Sequence, residues 1–222
     1  MAFVDQLKTQ LEAHRNPEFA LQMQAYMKHL FPFLGIKAPL RKTVLKTVSN
    51  SEKGDILANC RGIVKDLFQY DEREFQYCAM ETGAKFLKRK YDRSDYIFIT
   101  KLITTKSHWD TVDFIAKHML GQFILQFWDE RHKYIDELSN SDHMWLNRSA
   151  ILFQLGYKDK TDTEILFETC KKHAYSNEFF IKKAIGWALR DYAKTNPKAV
   201  IEFTSAVQLK SLSLREALKH LR

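Results

Sequence analysis

The chain has 222 residues, 45% of them hydrophobic and 28% charged, which is ample for a packed core and excludes an intrinsically disordered chain. Its formal charge of +8 is spread along the sequence rather than gathered in a tail, and spread basicity suits a face for a polyanion. Three cysteines, Cys60, Cys78 and Cys170, are odd in number and far apart, so they read as reduced thiols of a cytoplasmic protein and exclude a disulfide framework or a paired-cysteine zinc site.

The N-terminal stretch MAFVDQLKTQLEAH places Phe3, Val4, Leu7 and Leu11 at helical spacing, which predicts an amphipathic helix and not a signal peptide. In NPE, Asn16 caps the next helix with Pro17 at its first position, and APLRK starts another at Pro39. From there the apolar spacing stays at 3 and 4, as in ILANCRGIVKDLF (56–68) and EILFETCKKHA (164–174). TNP (195–197) ends one helix before another begins, and no stretch approaches the roughly 20 apolar residues of a membrane helix. The class is all-α.

Five segments stack on one another: EFQYCAMETGAKF from 74, WDTVDFIAKHMLG from 109, WLNRSAILFQLGY from 145, FIKKAIGWALRDY from 180 and the shorter LREALKHL from 214. Cys78, Asp113, Arg148 and Lys183 then fall at one register with a period of about 35 residues. Two helices per period of that size is the pattern of a HEAT-like α-solenoid with a concave basic groove, the alternative being a globular bundle. One domain over 1–222 is expected. Helical spacing adds Trp109 before Asp113, and Trp187, Arg190 and Lys194 after Lys183.

Ser107 and Asp110 have the spacing of a capping box, with the hydroxyl on the Asp110 N–H, and this assigns Asp110 to the helix start. Asp113 lies beyond the cap, in the second turn, where the helix dipole offers a carboxylate less. Two readings stay open at this point: an ion pair of Asp113 with Arg148 between repeats, or a functional acid. Cations beside indole rings suit a nucleic-acid backbone, and a carboxylate among them repels phosphate unless it stabilises a sugar turning cationic. Trp145, Phe153, Phe179 and Phe180 read as core, and the run KFLKRKYDR (85–93) as a solvated helix end.

The stretches FLGIKAPLR (33–41), TTKSHWDTVD (104–113), WLNRSAILFQLGYK (145–158) and FFIKKAIGWALRDYAKTNP (179–197) resemble the DNA alkylation repair enzyme family, the AlkD-type glycosylases of HEAT-like repeats. The resemblance runs from about residue 3 to the end. It implies a monofunctional glycosylase that hydrolyses the N-glycosidic bond of cationic alkylpurines, such as 3-methyladenine and 7-methylguanine, in duplex DNA without flipping the base. It also implies that Asp113 is the catalytic carboxylate, that Trp109 and Trp187 cup the deoxyribose, and that Arg148, Arg190 and Tyr26 meet the DNA, with Lys183 in the same basic stripe. The chain departs from close relatives at His108, where they carry another Trp, and at Lys37 and Gly156.

The eight His residues are scattered without a ligand spacing, so no metal is expected. No other cofactor is expected either, and the default assembly is a monomer. A DNA-binding scaffold without catalysis and a protein-binding solenoid are the competing functions.

Overall fold

A computed structural model describes residues 1–221. Among them every regular element is a helix, and they fall into two compact units, Met1–Lys90 and Tyr91–Arg222.

The first unit contains α1 (Ala2–Ala13), α2 (Pro17–Tyr26), α3 (Ala38–Ser51), α4 (Lys53–Gln69) and α5 (Arg73–Phe86). Phe3, Leu7 and Leu11 are fully buried from α1, and Ile56, Ile63, Leu67, Phe75 and Cys78 from α4 and α5. Asn16 caps α2 by accepting the Phe19 N–H at 3.0 Å, as its position before Pro17 requires. The helix α4 breaks at Asn59 (φ −146°, ψ 48°), whose side chain accepts the Gly62 N–H and so recaps the second half. Glu74 is wholly buried, and its carboxylate accepts the backbone N–H groups of Leu34, Gly35 and Ile36 at 2.9–3.0 Å. Gly35 has φ +86°, and a Cβ there would stand 2.0 Å from the Asn16 carbonyl oxygen, so only glycine fits the loop that Glu74 binds.

The second unit contains α6 (Asp95–Thr104), α7 (Trp109–Ile115), α8 (Gly121–Gln126), α9 (Arg131–Ser139), α10 (Met144–Leu152), α11 (Thr163–Lys172), α12 (Phe179–Tyr192), α13 (Pro197–Ala206) and α14 (Ser211–Ala217). A π-helical turn, Ala116–Leu120, joins α7 to α8. The stacked segments of the sequence coincide with α5, α7 to α8, α10, α12 and α14, and the fold is an α-solenoid. Ile151, Leu166, Cys170, Ile181, Ile185, Leu189 and Val200 form a continuous buried cluster between the successive pairs.

The period is written into the hydrogen bonds of this unit. Asp113 meets Arg148 across 35 residues, the Gly156 N–H meets Asp191 across 35, the Tyr91 N–H meets Gln126 across 35, and Arg131 meets Asp162 across 31. Each is one repeat reaching the next, so side chains at one register become neighbours. Close approach is extreme at Gly186 on α12, where an added Cβ would lie 2.3 Å from the Glu216 Cβ of α14.

One local expectation is corrected. Ser107 does not cap α7: its hydroxyl donates to the Ile103 carbonyl at 2.6 Å and closes α6, while His108 is the N-cap residue of α7. In so short a link the serine reaches the carbonyl behind it, which a spacing rule cannot distinguish from the amide ahead.

Candidate functional site

The short helix α7 presents Trp109 and Asp113 one turn apart. From α10, the next helix at the same register, Arg148 reaches back with Nε and Nη2 each 2.7 Å from a different Asp113 oxygen, a two-point pairing. Its remaining Nη1 donates to the Phe180 carbonyl at the start of α12. Arg148 is thus buried, 1% exposed at the side chain, whereas Asp113 keeps 20% of its side chain open. The guanidinium holds the carboxylate from behind and leaves a face of it toward solvent.

Trp187, half-buried on α12, lies between two cations. The Arg148 guanidinium is 5.3 Å from its ring centre, and Lys183 Nζ, one helical turn earlier, is 5.4 Å from it. Lys183 and Arg190 are seven residues apart on one face of α12, and both donate to Glu216 of α14 at 2.9 Å, one to each carboxylate oxygen. These bonds, Lys183 first, hold Glu216 below the usual carboxylate range.

Burial moves Asp113 the other way. Removal from water raises its pKa; the Arg148 hydrogen bonds and charge oppose this, Asp110 adds to it and His108 works against it, and the net direction is upward. A carboxyl held anionic by an arginine yet more basic than an ordinary aspartate can stabilise positive charge and also take a proton.

The residues singled out in the sequence divide by location. Asp113, Arg148, Trp187, Lys183 and Arg190 form one connected set, with Trp109 a turn from Asp113. Tyr26 lies in the first unit at the end of α2, 73% exposed. Lys194, just past the end of α12, pairs with Asp191 of that helix at 3.0 Å. Glu216 is the residue that sequence reasoning missed. It lies 33 residues after Lys183, two short of the 35-residue register, which lands on Leu218, so the period by itself did not signal it.

His108 has a place as well. Its ring stands 5.8 Å from Trp145 and 5.6 Å from Phe180, edge to face, and 6.3 Å from Trp109. Phe153 is buried as expected, but Trp145 and Phe180 are half-buried around His108, and Phe179 is 56% exposed. The first turn of α12 projects past its neighbours, so apolar spacing there does not mean burial. The run 85–93 is a solvated helix end: α5 stops at Phe86, Leu87 and Tyr91 turn inward, and the charged residues between them are exposed.

Among the described residues, no three His, Cys, Asp or Glu side chains gather as a metal site, and no helix is long and apolar enough to cross a membrane.

Comparison with known proteins bears on what this arrangement is for. A predicted DNA alkylation repair enzyme from Enterococcus faecalis has a solved structure that superposes with a TM-score of 0.86 at 32% identity, covering 93% of this chain and 96% of that one. Curated proteins provide no match. The family model for DNA alkylation repair enzymes matches residues 7–221, which includes every residue of the connected set. The chain therefore belongs to the DNA alkylation repair enzyme family.

Proposed function

We propose that the protein is a monofunctional DNA glycosylase that hydrolyses the N-glycosidic bond of cationic alkylated purines, 3-methyladenine and 7-methylguanine among them, in duplex DNA. The observation that carries the reading is Asp113: a carboxylate fixed at two points by Arg148, with 20% of its side chain open to solvent, whose arginine lies 5.3 Å from the centre of the Trp187 ring.

A purine alkylated at N3 or N7 already bears positive charge. When its bond to C1′ breaks, the bonding pair leaves with the base, the base departs neutral, and the positive charge passes to the sugar. No general acid is needed. The requirement is stabilisation of an oxocarbenium-like sugar and delivery of water to C1′. Asp113 supplies the counter-charge, and the Trp109 and Trp187 ring faces supply apolar, electron-rich contact to sugar C–H groups. As water adds to C1′ its proton passes to Asp113, for which the raised basicity of that carboxyl is suited. Arg148 fixes the carboxylate, and Arg190, Lys183 and Tyr26 are assigned to the DNA backbone. Arg148 meets phosphate itself only if its pair with Asp113 opens. The lesion is attacked through its sugar, without drawing the base into a pocket, and 1–222 acts as one glycosylase domain in the cytoplasm.

The second reading is a DNA-binding scaffold without catalysis, favoured by the mutual satisfaction of Asp113 and Arg148. Release of methylated purine from alkylated duplex DNA separates the two. The glycosylase releases base, and Asp113→Asn abolishes most of that release with DNA binding kept or tightened. Equal rates for wild type and Asp113→Asn would remove the catalytic assignment.

A further inference from the structure

The cations that flank the indole are not independent of one another. Glu216 joins Lys183 to Arg190 across two turns of α12, and its carboxylate is 13% exposed while each cation is 23% exposed. Gly186 lies between them in sequence, and its missing Cβ is what lets α14 come near enough for Glu216 to reach both. Lys183 is in turn a second cation near the Trp187 ring, 5.4 Å from its centre, beside Arg148 at 5.3 Å.

We propose that Glu216 is a positioning residue of the site: it fixes Lys183 against Trp187, so that the indole keeps its place, and it neutralises charge that would otherwise oppose a cationic sugar. The inference rests on the glycosylase reading and extends it. Without Glu216 the local set is Asp113 against Arg148, Lys183 and Arg190. With it, two carboxylates face three cations, and the excess positive charge near the indole falls from two to one. A site that stabilises a positive sugar gains from that reduction, whereas a surface that only binds phosphate loses by it. Affinity and turnover therefore depend on Glu216 with opposite signs, which a purely structural residue would not produce.

The test is Glu216→Gln, which keeps length and packing and removes the charge. Duplex binding is followed as a function of salt, and single-turnover release of 7-methylguanine is measured on the same methylated DNA. Binding is expected to tighten at low salt, with a salt dependence steeper by about one to two ions as Lys183 and Arg190, shared with Glu216 in the wild type, engage phosphate fully. The base-release rate at saturating protein is expected to fall roughly tenfold as the indole loses its fixed neighbour. Glu216→Asp, too short to span both cations, should fall between the two in rate while binding like the wild type.

Gly186→Ala gives a second view, since it forces α14 away from α12 while leaving every charged side chain present. It should lower the rate with the same steepened salt dependence. Weaker binding together with a slower rate in a folded Glu216→Gln protein would overturn the proposal, as would no change in either quantity. If wild type binds duplex DNA but releases no base from any methylated duplex, the glycosylase reading fails, and the binding arm alone still decides whether Glu216 restrains the two cations.

Discussion

Cys78 and Asp113 occupy the same register in successive repeats, one in each unit, and each faces an arginine from a neighbouring repeat. Arg41 Nη1 lies 3.9 Å from the Cys78 sulfur, 37 residues away, and Arg148 binds Asp113 from 35 residues away. The similarity ends there. Cys78 is 0% exposed, burial pushes its thiol up to about 12, and Arg41 directs another nitrogen to Glu81 at 2.8 Å. Asp113 is charged, takes both arms of its arginine and keeps an open face. An arginine facing this position from an adjoining helix therefore occurs in both units, and what distinguishes Asp113 is that the partner is ionised and left partly in water.

This contrast can be broken from either side. The largest expected effect is at the open position: Asp113→Asn should lower base release by roughly 10²–10³-fold, the scale for losing a preorganised charge at a reacting centre, read by single-turnover kinetics. Next, Cys78→Asp should not create a second site, because the new carboxylate would be buried beside an arginine already paired with Glu81. It should cost about 3 kcal/mol, seen as a Tm lower by about 6–12 °C.

A smaller effect sharpens the role of exposure. Burial raises the Asp113 pKa above that of a free aspartate, and the proposed glycosylase uses its anionic form, so base release should decline as pH falls through a value above the usual aspartate range. A pH–rate profile with its acid limb at the ordinary aspartate value would contradict this. The smallest effect belongs to a surface pair. Arg93 is 70% exposed and 2.8 Å from Glu130, one repeat on, and Arg93→Ala should change stability by less than about 0.5 kcal/mol in urea unfolding.

Much of the fold was legible because the signals were local and repeated. Asn16 before Pro17 and TNP at 195–197 marked two helix starts; Asn16 caps as expected at 3.0 Å, and Asn196 caps its helix too, at 3.1 Å. The period placed Asp113 beside Arg148 before any coordinates. It could not say whether the pair was sealed, since burial of an arginine depends on what α12 brings to it, here the Phe180 carbonyl. Ser107 was misread because a hydroxyl between two helices can serve either. Phe179 was misread because helical spacing identifies a face but not the length of the neighbour that covers it. Glu216 escaped because the last segment is short and its register drifts by two residues.

The near-constant span of the contacts also has a consequence in time. In the second unit each key polar contact closes a loop of about one repeat, so its folding need not await distant parts of the chain, and low contact order favours rapid, stepwise formation. During synthesis, Asp113 can meet Arg148 once the helix at 144–152 has emerged, while the indole of Trp187 arrives a repeat later and Glu216 later still. The carboxylate would have its holder before Lys183, Trp187, Arg190 and Glu216 emerge, and the nascent chain never has to carry that charge into a core alone.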